Sequence, residues 1–158
     1  MYIKDLAYWC NKITFANNAS VPFVYGGNLY VNNELVTKFV SPLSITGIAE
    51  YAFNGCTSIT EIEITDNVSK INMFAFQSCK NLTSVIIGNG CRSIVNYAFS
   101  CPNLKTVRIG NGIKQLHIPF GSSITDIYID VPENSISGAP WGATNATVHW
   151  NTPLPNKM

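Results

Sequence analysis

The sequence predicts a strand-dominated α/β solenoid, with a parallel sheet on one face, short helical turns on the other and a repeat of about 23 residues. Three observations carry that expectation. The segments Ile48-Ala-Glu-Tyr-Ala-Phe-Asn-Gly-Cys56, Ile71-Asn-Met-Phe-Ala-Phe-Gln-Ser-Cys79 and Ile94-Val-Asn-Tyr-Ala-Phe-Ser-Cys101 are versions of one phrase. Phe53, Phe76 and Phe99 recur at equal intervals. Each phrase then enters an apolar triplet: Ile59, Ile62 and Ile64; Leu82, Val85 and Ile87; Leu104, Val107 and Ile109. Self-similarity at such a period means one supersecondary unit stacked on copies of itself.

Each repeat reads as four pieces. The strand is the alternating stretch, as in Glu61-Ile62-Glu63-Ile64, where every second side chain faces the core. A corner follows at Thr65-Asp66-Asn67, Gly88-Asn89-Gly90 and Gly110-Asn111-Gly112. Asn and Gly tolerate positive φ, so a tight corner is expected there. A short extended return passes through Val68 and Ile71. Residues 51–53, 74–76 and 97–99 (aromatic-Ala-Phe) then supply the helical turns. Further apolar columns, Ile45-Val68-Cys91-Ile113 and Ile48-Ile71-Ile94-Leu116, keep the same register. The triplet itself extends back to Val36, Phe39 and Ser41, and forward to Ile124, Ile127 and Ile129. An L-x-x-L-x-L triplet in this period marks a leucine-rich-repeat solenoid.

The whole chain, 1–158, is expected to be a single domain of that kind. Residues 1–35 form an atypical N-terminal part. Ile3 to Cys10 resembles the helical half of a repeat, so the chain reads as beginning inside one, and a β-hairpin is expected to turn at Asn32-Asn33. Regular repeats occupy 36–130. Residues 131–150 are expected to cap the core, with Trp141 and Trp150 as lids, because an uncovered terminal rung would leave apolar surface in water. Residues 151–158, with two prolines, read as a loose tail.

Composition excludes several function classes. Net charge is +1, from 10 Lys+Arg against 9 Asp+Glu, which leaves no electrostatic footprint for nucleic acid. No apolar run approaches the roughly 18 residues that would insert in a membrane as a helix. The N-terminus lacks a basic stretch followed by an apolar one, so no signal peptide is read in this chain. Of the five cysteines, Cys56, Cys79 and Cys101 share one repeat position. They are expected as buried thiols acting as small core residues, ahead of a disulfide or a zinc site. Cys91 with His117 is the one Cys–His nucleophile pair to weigh. Cys91, however, takes the column position of Ile45 and Val68, which points it inward. Asp126, Asp130 and Glu133 read as surface carboxylates. No catalytic constellation, metal site or cofactor motif is found.

Ser44-Ile-Thr-Gly-Ile-Ala-Glu-Tyr-Ala-Phe-Asn-Gly-Cys-Thr-Ser-Ile-Thr60 and its two successors resemble the BspA-like leucine-rich repeats of bacterial surface antigens. The resemblance is close over about 36–130. Where that family places Pro after the strand, this chain has Thr65, Gly88 and Gly110. The resemblance implies a non-catalytic protein-interaction or adhesion module, at a cell surface or secreted. Its implied partner is another protein or a host surface molecule. The alternative is an intracellular or phage-borne structural scaffold built from the same repeats.

Strand alternation places two columns outward: Lys38, Glu61, Ser84, Thr106, Asp126, and Val40, Glu63, Ile86, Arg108, Tyr128. Arg and Tyr are favoured at protein-recognition hot spots. The candidate partner-binding residues are therefore Lys38, Glu61, Glu63, Ile86, Arg108, Asp126 and Tyr128. Beside this stands the plainer reading of a solvated sheet face, with Lys38 and Glu61 as a cross-strand ion pair.

Overall fold

The computed structural model describes residues 1–12, 23 and 25–155. Parts of the atypical N-terminal region (13–22 and 24) and of the expected tail (156–158) lie outside the described residues. In chain order the elements are β1 (Tyr2–Ile3), α1 (Leu6–Lys12), β2 (Tyr30–Val31), β3 (Glu34–Leu35) and β4 (Lys38–Val40). Then come β5 (Gly47–Ile48), β6 (Glu61–Ile64), β7 (Lys70–Ile71), β8 (Ser84–Ile87) and β9 (Ser93–Ile94). The last four are β10 (Thr106–Ile109), β11 (Gln115–Leu116), β12 (Asp126–Ile129) and β13 (Thr147–His149).

The strands form a coil of parallel rungs. One six-stranded sheet runs β13-β12-β10-β8-β6-β4, and a second of four strands runs β11-β9-β7-β5. Every pairing in both is parallel. The register follows the sequence columns: Phe39, Ile62, Val85, Val107 and Ile127 are successive partners. A third sheet holds β1, β2 and β3, in which β2 and β3 form the antiparallel hairpin expected at Asn32-Asn33. Both asparagines sit in the left-handed region, at φ 51° and 69°, as a two-residue hairpin turn requires. Ile3 pairs in this sheet with Val31 rather than stacking on Ile48. Cys10 nonetheless meets the first regular rung, its carbonyl accepting the amide of Ala49 at 2.7 Å.

Phe53, Phe76 and Phe99 are fully buried and stack with centroids 5.1 and 5.3 Å apart. Phe120 pairs with Phe99 through an isolated parallel bridge and is itself buried at the next rung. The aromatic-Ala-Phe segments are single turns rather than helices; α1 is the α-helix among the described residues. Tyr51, Phe74 and Tyr97 adopt left-handed φ of 57°, 58° and 59°, which stops an α-helix from propagating. Amides on either side then alternate between two kinds of partner. Ala52 and Asn54 bond back within the turn, to Ala49 and Tyr51. Tyr51, Phe53 and Gly55 bond across to Met73, Ala75 and Gln77 of the next rung. Cross-rung bonding satisfies the backbone in a way an isolated helical turn cannot.

The corner glycines have a reason other than positive φ, since Gly88, Gly90, Gly110 and Gly112 are not in the left-handed region. An added Cβ at Gly90 would lie 1.6 Å from the carbonyl oxygen of Asp66, and one at Gly112 would lie 1.7 Å from that of Asn89. Adjacent corners stack backbone on backbone. Asp66 Oδ1 accepts the amide of Asn89 at 2.7 Å, and Asn89 Oδ1 accepts that of Asn111 at 3.1 Å. In the first corner Thr65 replaces glycine, and its amide and hydroxyl both meet the buried Ser41 hydroxyl.

All five thiols are buried and unbridged. Cys79 Sγ donates to the carbonyl of Phe53 at 3.3 Å, and Cys101 Sγ to that of Phe76 at 2.9 Å. The repeated cysteine thus combines small volume with a weak donor for a buried carbonyl. At the C-terminal end Trp141 is buried, donates from Nε1 to Ser137 O at 2.8 Å, and meets Trp150 edge-on at 5.7 Å.

Candidate functional site

The outward face of the six-stranded sheet carries both columns as the alternation requires. Lys38, Glu61, Ser84, Thr106, Asp126 and Thr147 are successive register partners. So are Val40, Glu63, Ile86, Arg108, Tyr128 and His149. Lys38, Val40 and Glu61 are exposed; Glu63, Ile86, Arg108, Asp126 and Tyr128 are half-buried by their neighbours.

At the N-terminal end of this face the ion pair differs from the expectation. Lys38 sits beside Glu61 in register, yet its Nζ lies 3.5 Å from Glu63 Oε2. A long flexible side chain reaches the diagonal carboxylate as easily as the one directly opposite. The pair is solvent-exposed and contributes at most about 1 kcal/mol.

At the C-terminal end the side chains form a continuous stack. The Arg108 guanidinium carbon lies 4.1 Å above the Tyr128 ring centroid. The His149 ring stacks on Tyr128, with centroids 4.3 Å apart and planes 10° from parallel. His149 Nε2 is 2.8 Å from Asp126 Oδ1, and the Thr125 hydroxyl donates to Asp126 Oδ2 at 2.8 Å. His149 is the residue the sequence reasoning missed. The columns read from the sequence end at Asp126 and Tyr128, whereas β13 continues both of them and sets His149 beside Tyr128; the alternation of Thr147-Val148-His149 is the signal that could have found it.

The hydrogen bond from His149, with that from Thr125 second, holds the Asp126 carboxyl below its ordinary value of 3.8. A carboxyl depressed in the fold stabilises it above the unfolded pKa. That contribution is lost as pH falls through the lower folded value. Because Asp126 is on the surface, the readout is its own titration rather than global stability. By carboxyl-carbon NMR, Asp126 is expected to titrate below 3.8 in the native chain and to move up toward 3.8 in His149→Ala. An unmoved midpoint would show that His149 is not the cause.

No group of three or more His, Cys, Asp or Glu side chains able to hold a metal occurs among the described residues. Burial pushes the Cys91 thiol up to about 12, and its Sγ faces the Ser93 carbonyl. His117 is exposed and meets Gln115. A thiol so held is in its neutral form at physiological pH, whereas the thiolate is the nucleophilic form. The depression beside the β2–β3 hairpin, lined by Glu34, Leu35 and Lys38 among others, brings no catalytic pair together. Among the described residues no helix is long and apolar enough to cross a membrane.

Stacked parallel rungs with a buried aromatic interior and a continuous outward strand face define a leucine-rich-repeat protein. The chain belongs to the BspA type leucine rich repeat family, whose model matches residues 26–137 in 6 copies. That family is generally a non-catalytic scaffold, and its repeats support protein–protein interaction. Among solved structures the chain is similar to the pneumococcal vaccine antigen PcpA: 18% identity, TM-score 0.48, 81% of this chain and 44% of that one. It is also similar to the leucine rich repeat protein TpLRR of T. pallidum: 18% identity, TM-score 0.47, 74% of this chain and 70% of that one. The chain thus spans less than half the length of PcpA. No curated protein matches the sequence.

Proposed function

We propose that this chain is a non-catalytic protein-binding module of the surface-adhesion type, and that the outward strand face takes the partner, another protein or a host surface molecule. The observation that carries the reading is Arg108. Its guanidinium carbon sits 4.1 Å over the Tyr128 ring, whose other neighbour in the stack is His149, and it forms no salt bridge with a carboxylate among the described residues. A side chain already ordered loses little entropy on binding, and its donors remain available to a partner. Glu61, Glu63, Ile86, Asp126, Lys38 and Tyr128 surround it with charge and apolar surface at fixed spacings.

The test is binding to a panel of purified extracellular-matrix glycoproteins at low concentration, with Arg108→Ala plus Tyr128→Ala as the probe. Against any member that binds, the double variant is expected to lose about 30-fold or more in affinity. Its melting temperature should fall by no more than about 6 °C, because the removed side chains are half-buried and outside the core. Unchanged affinity would remove the strand face from the proposal.

The second reading, an intracellular or phage-borne structural scaffold, is favoured by five buried thiols without a disulfide. An export signal or wall anchor in the same reading frame would decide for adhesion.

A further inference from the structure

We propose that the outward strand face pairs with the same face of a second copy of this chain, around a twofold axis lying along β8. The proposal rests on the reading of this face as a protein-binding surface, and names its occupant. In the sheet order β4-β6-β8-β10-β12-β13 the first five strands lie symmetrically about β8, two rungs on either side, and β13 lies beyond them with no counterpart in the facing sheet. A twofold axis parallel to the strands and midway between two facing sheets brings the rung before β8 onto the rung after it in the partner. Each column then meets itself reversed, as an isologous interface demands.

The residues match under that operation. In one column Glu63 meets Arg108 of the other copy, and Arg108 meets Glu63, so two ion pairs form by symmetry. Ile86 falls on the axis and meets its own copy. Two rungs out, Val40 meets the Tyr128 ring, an apolar side chain on an aromatic one. In the other column Lys38 meets Asp126 twice, Glu61 meets the hydroxyl of Thr106, and Ser84 meets itself. No like charges are set against each other at any of these positions. The existing contacts fit the same geometry: Lys38 already draws Glu63 to 3.5 Å, and Tyr128 and His149 already hold Arg108 and Asp126 in place. The acid, aliphatic and Arg sequence along one column therefore need not await a foreign partner, because its reverse is supplied by a second copy.

Size sets the expected strength. Five paired strands, each about 4.8 Å wide, and a few residues of strand length make a patch of about 24 by 12 Å. Two such patches cover roughly 600 Å² of facing area, below the size of a standard specific interface and in the range of weak, transient contacts. The dimer is therefore expected to be weak, with a dissociation constant in the micromolar range or above.

The test is sedimentation equilibrium of the full chain up to several hundred micromolar, at low salt. The parent is expected to rise reversibly toward twice the chain mass. Glu63→Arg and Arg108→Glu should each weaken self-association at least about tenfold, because each sets like charges together twice. The two single variants mixed should restore association, since all four facing pairs are then of opposite sign. The double variant carrying both changes should also restore it. Circular dichroism melts confirm that each variant is folded, and the two restorations exclude loss of fold as the cause. A parent that stays monomeric throughout overturns the proposal, as does a mixture no more associated than its components. Neither result touches foreign-partner binding, which is read separately on the monomer at low concentration.

Discussion

Phe76→Ala is expected to lower the unfolding free energy by about 3–5 kcal/mol and the midpoint of thermal unfolding by on the order of 10 °C. Phe76 is fully buried, with Phe53 at 5.1 Å on one side, Phe99 at 5.3 Å on the other and Phe39 edge-on at 5.5 Å. The gap left by its ring cannot close by sliding the neighbouring rungs together. Their spacing is set by backbone bonds such as Phe53 N to Ala75 O at 2.8 Å and Phe76 N to Ala98 O at 2.9 Å. Both the lost transfer energy and the cavity therefore count in full. Phe74→Ala, two residues away, is the control. Phe74 also stacks between aromatics, Tyr51 at 4.9 Å and Tyr97 at 5.7 Å, but it lies half-buried on the outside of the coil. Its loss is expected to cost about 1–2 kcal/mol, from two stacking contacts and partial burial. A domain of this size has about 5–15 kcal/mol in all, so the first substitution removes a large share and the second does not. Urea denaturation of both variants checks this. Equal losses would contradict a single dry column centred on the phenylalanines.

Gly90→Ala is expected to cost about 3 kcal/mol or more, although it adds only one methyl group. The new Cβ would sit 1.6 Å from Asp66 O and 2.6 Å from Asp66 C, both backbone atoms of the adjacent corner. A backbone held on both sides by rung-to-rung bonds does not yield as a side-chain tip would. The corner must open, breaking the Asp66 bond to the Asn89 amide. Gly27→Ala is the contrast: its Cβ would meet Phe23 Cδ1 at 3.5 Å, an ordinary contact. That change is expected to stay within about 1 kcal/mol. If Gly90→Ala unfolds at the same denaturant concentration as the parent, close corner stacking is not what requires glycine there.

The parallel rungs, the inward columns and the hairpin at Asn32-Asn33 were all readable along the chain. Each rests on local periodicity: alternation for strands, recurrence at one fixed interval for stacking, and asparagines that accept positive φ for the turn. The outward columns were readable on the same ground, because once Ile62 and Ile64 face inward, Glu61 and Glu63 have no other direction available. Three features were not. Local pattern suggested helix for the aromatic-Ala-Phe turns, but their amides are claimed by the next rung. The corner glycines were credited to φ, but their cause is an oxygen of Asp66 or Asn89, a full repeat earlier in the chain. Lys38 was assigned to the carboxylate directly opposite, but its flexible stem reaches Glu63.

The order of the rungs, the Phe and Cys interior, and which side chains look outward were determined by the sequence itself, because a regular repeat makes every unit bury the same face against its neighbour. The stack of Arg108, Tyr128 and His149 and the bond from His149 to Asp126 were decided only in three dimensions. They depend on which residues the coil sets about 4.8 Å apart. That distance is fixed by hydrogen bonds between rungs, and a single-position slip in β13 would turn His149 to the other face.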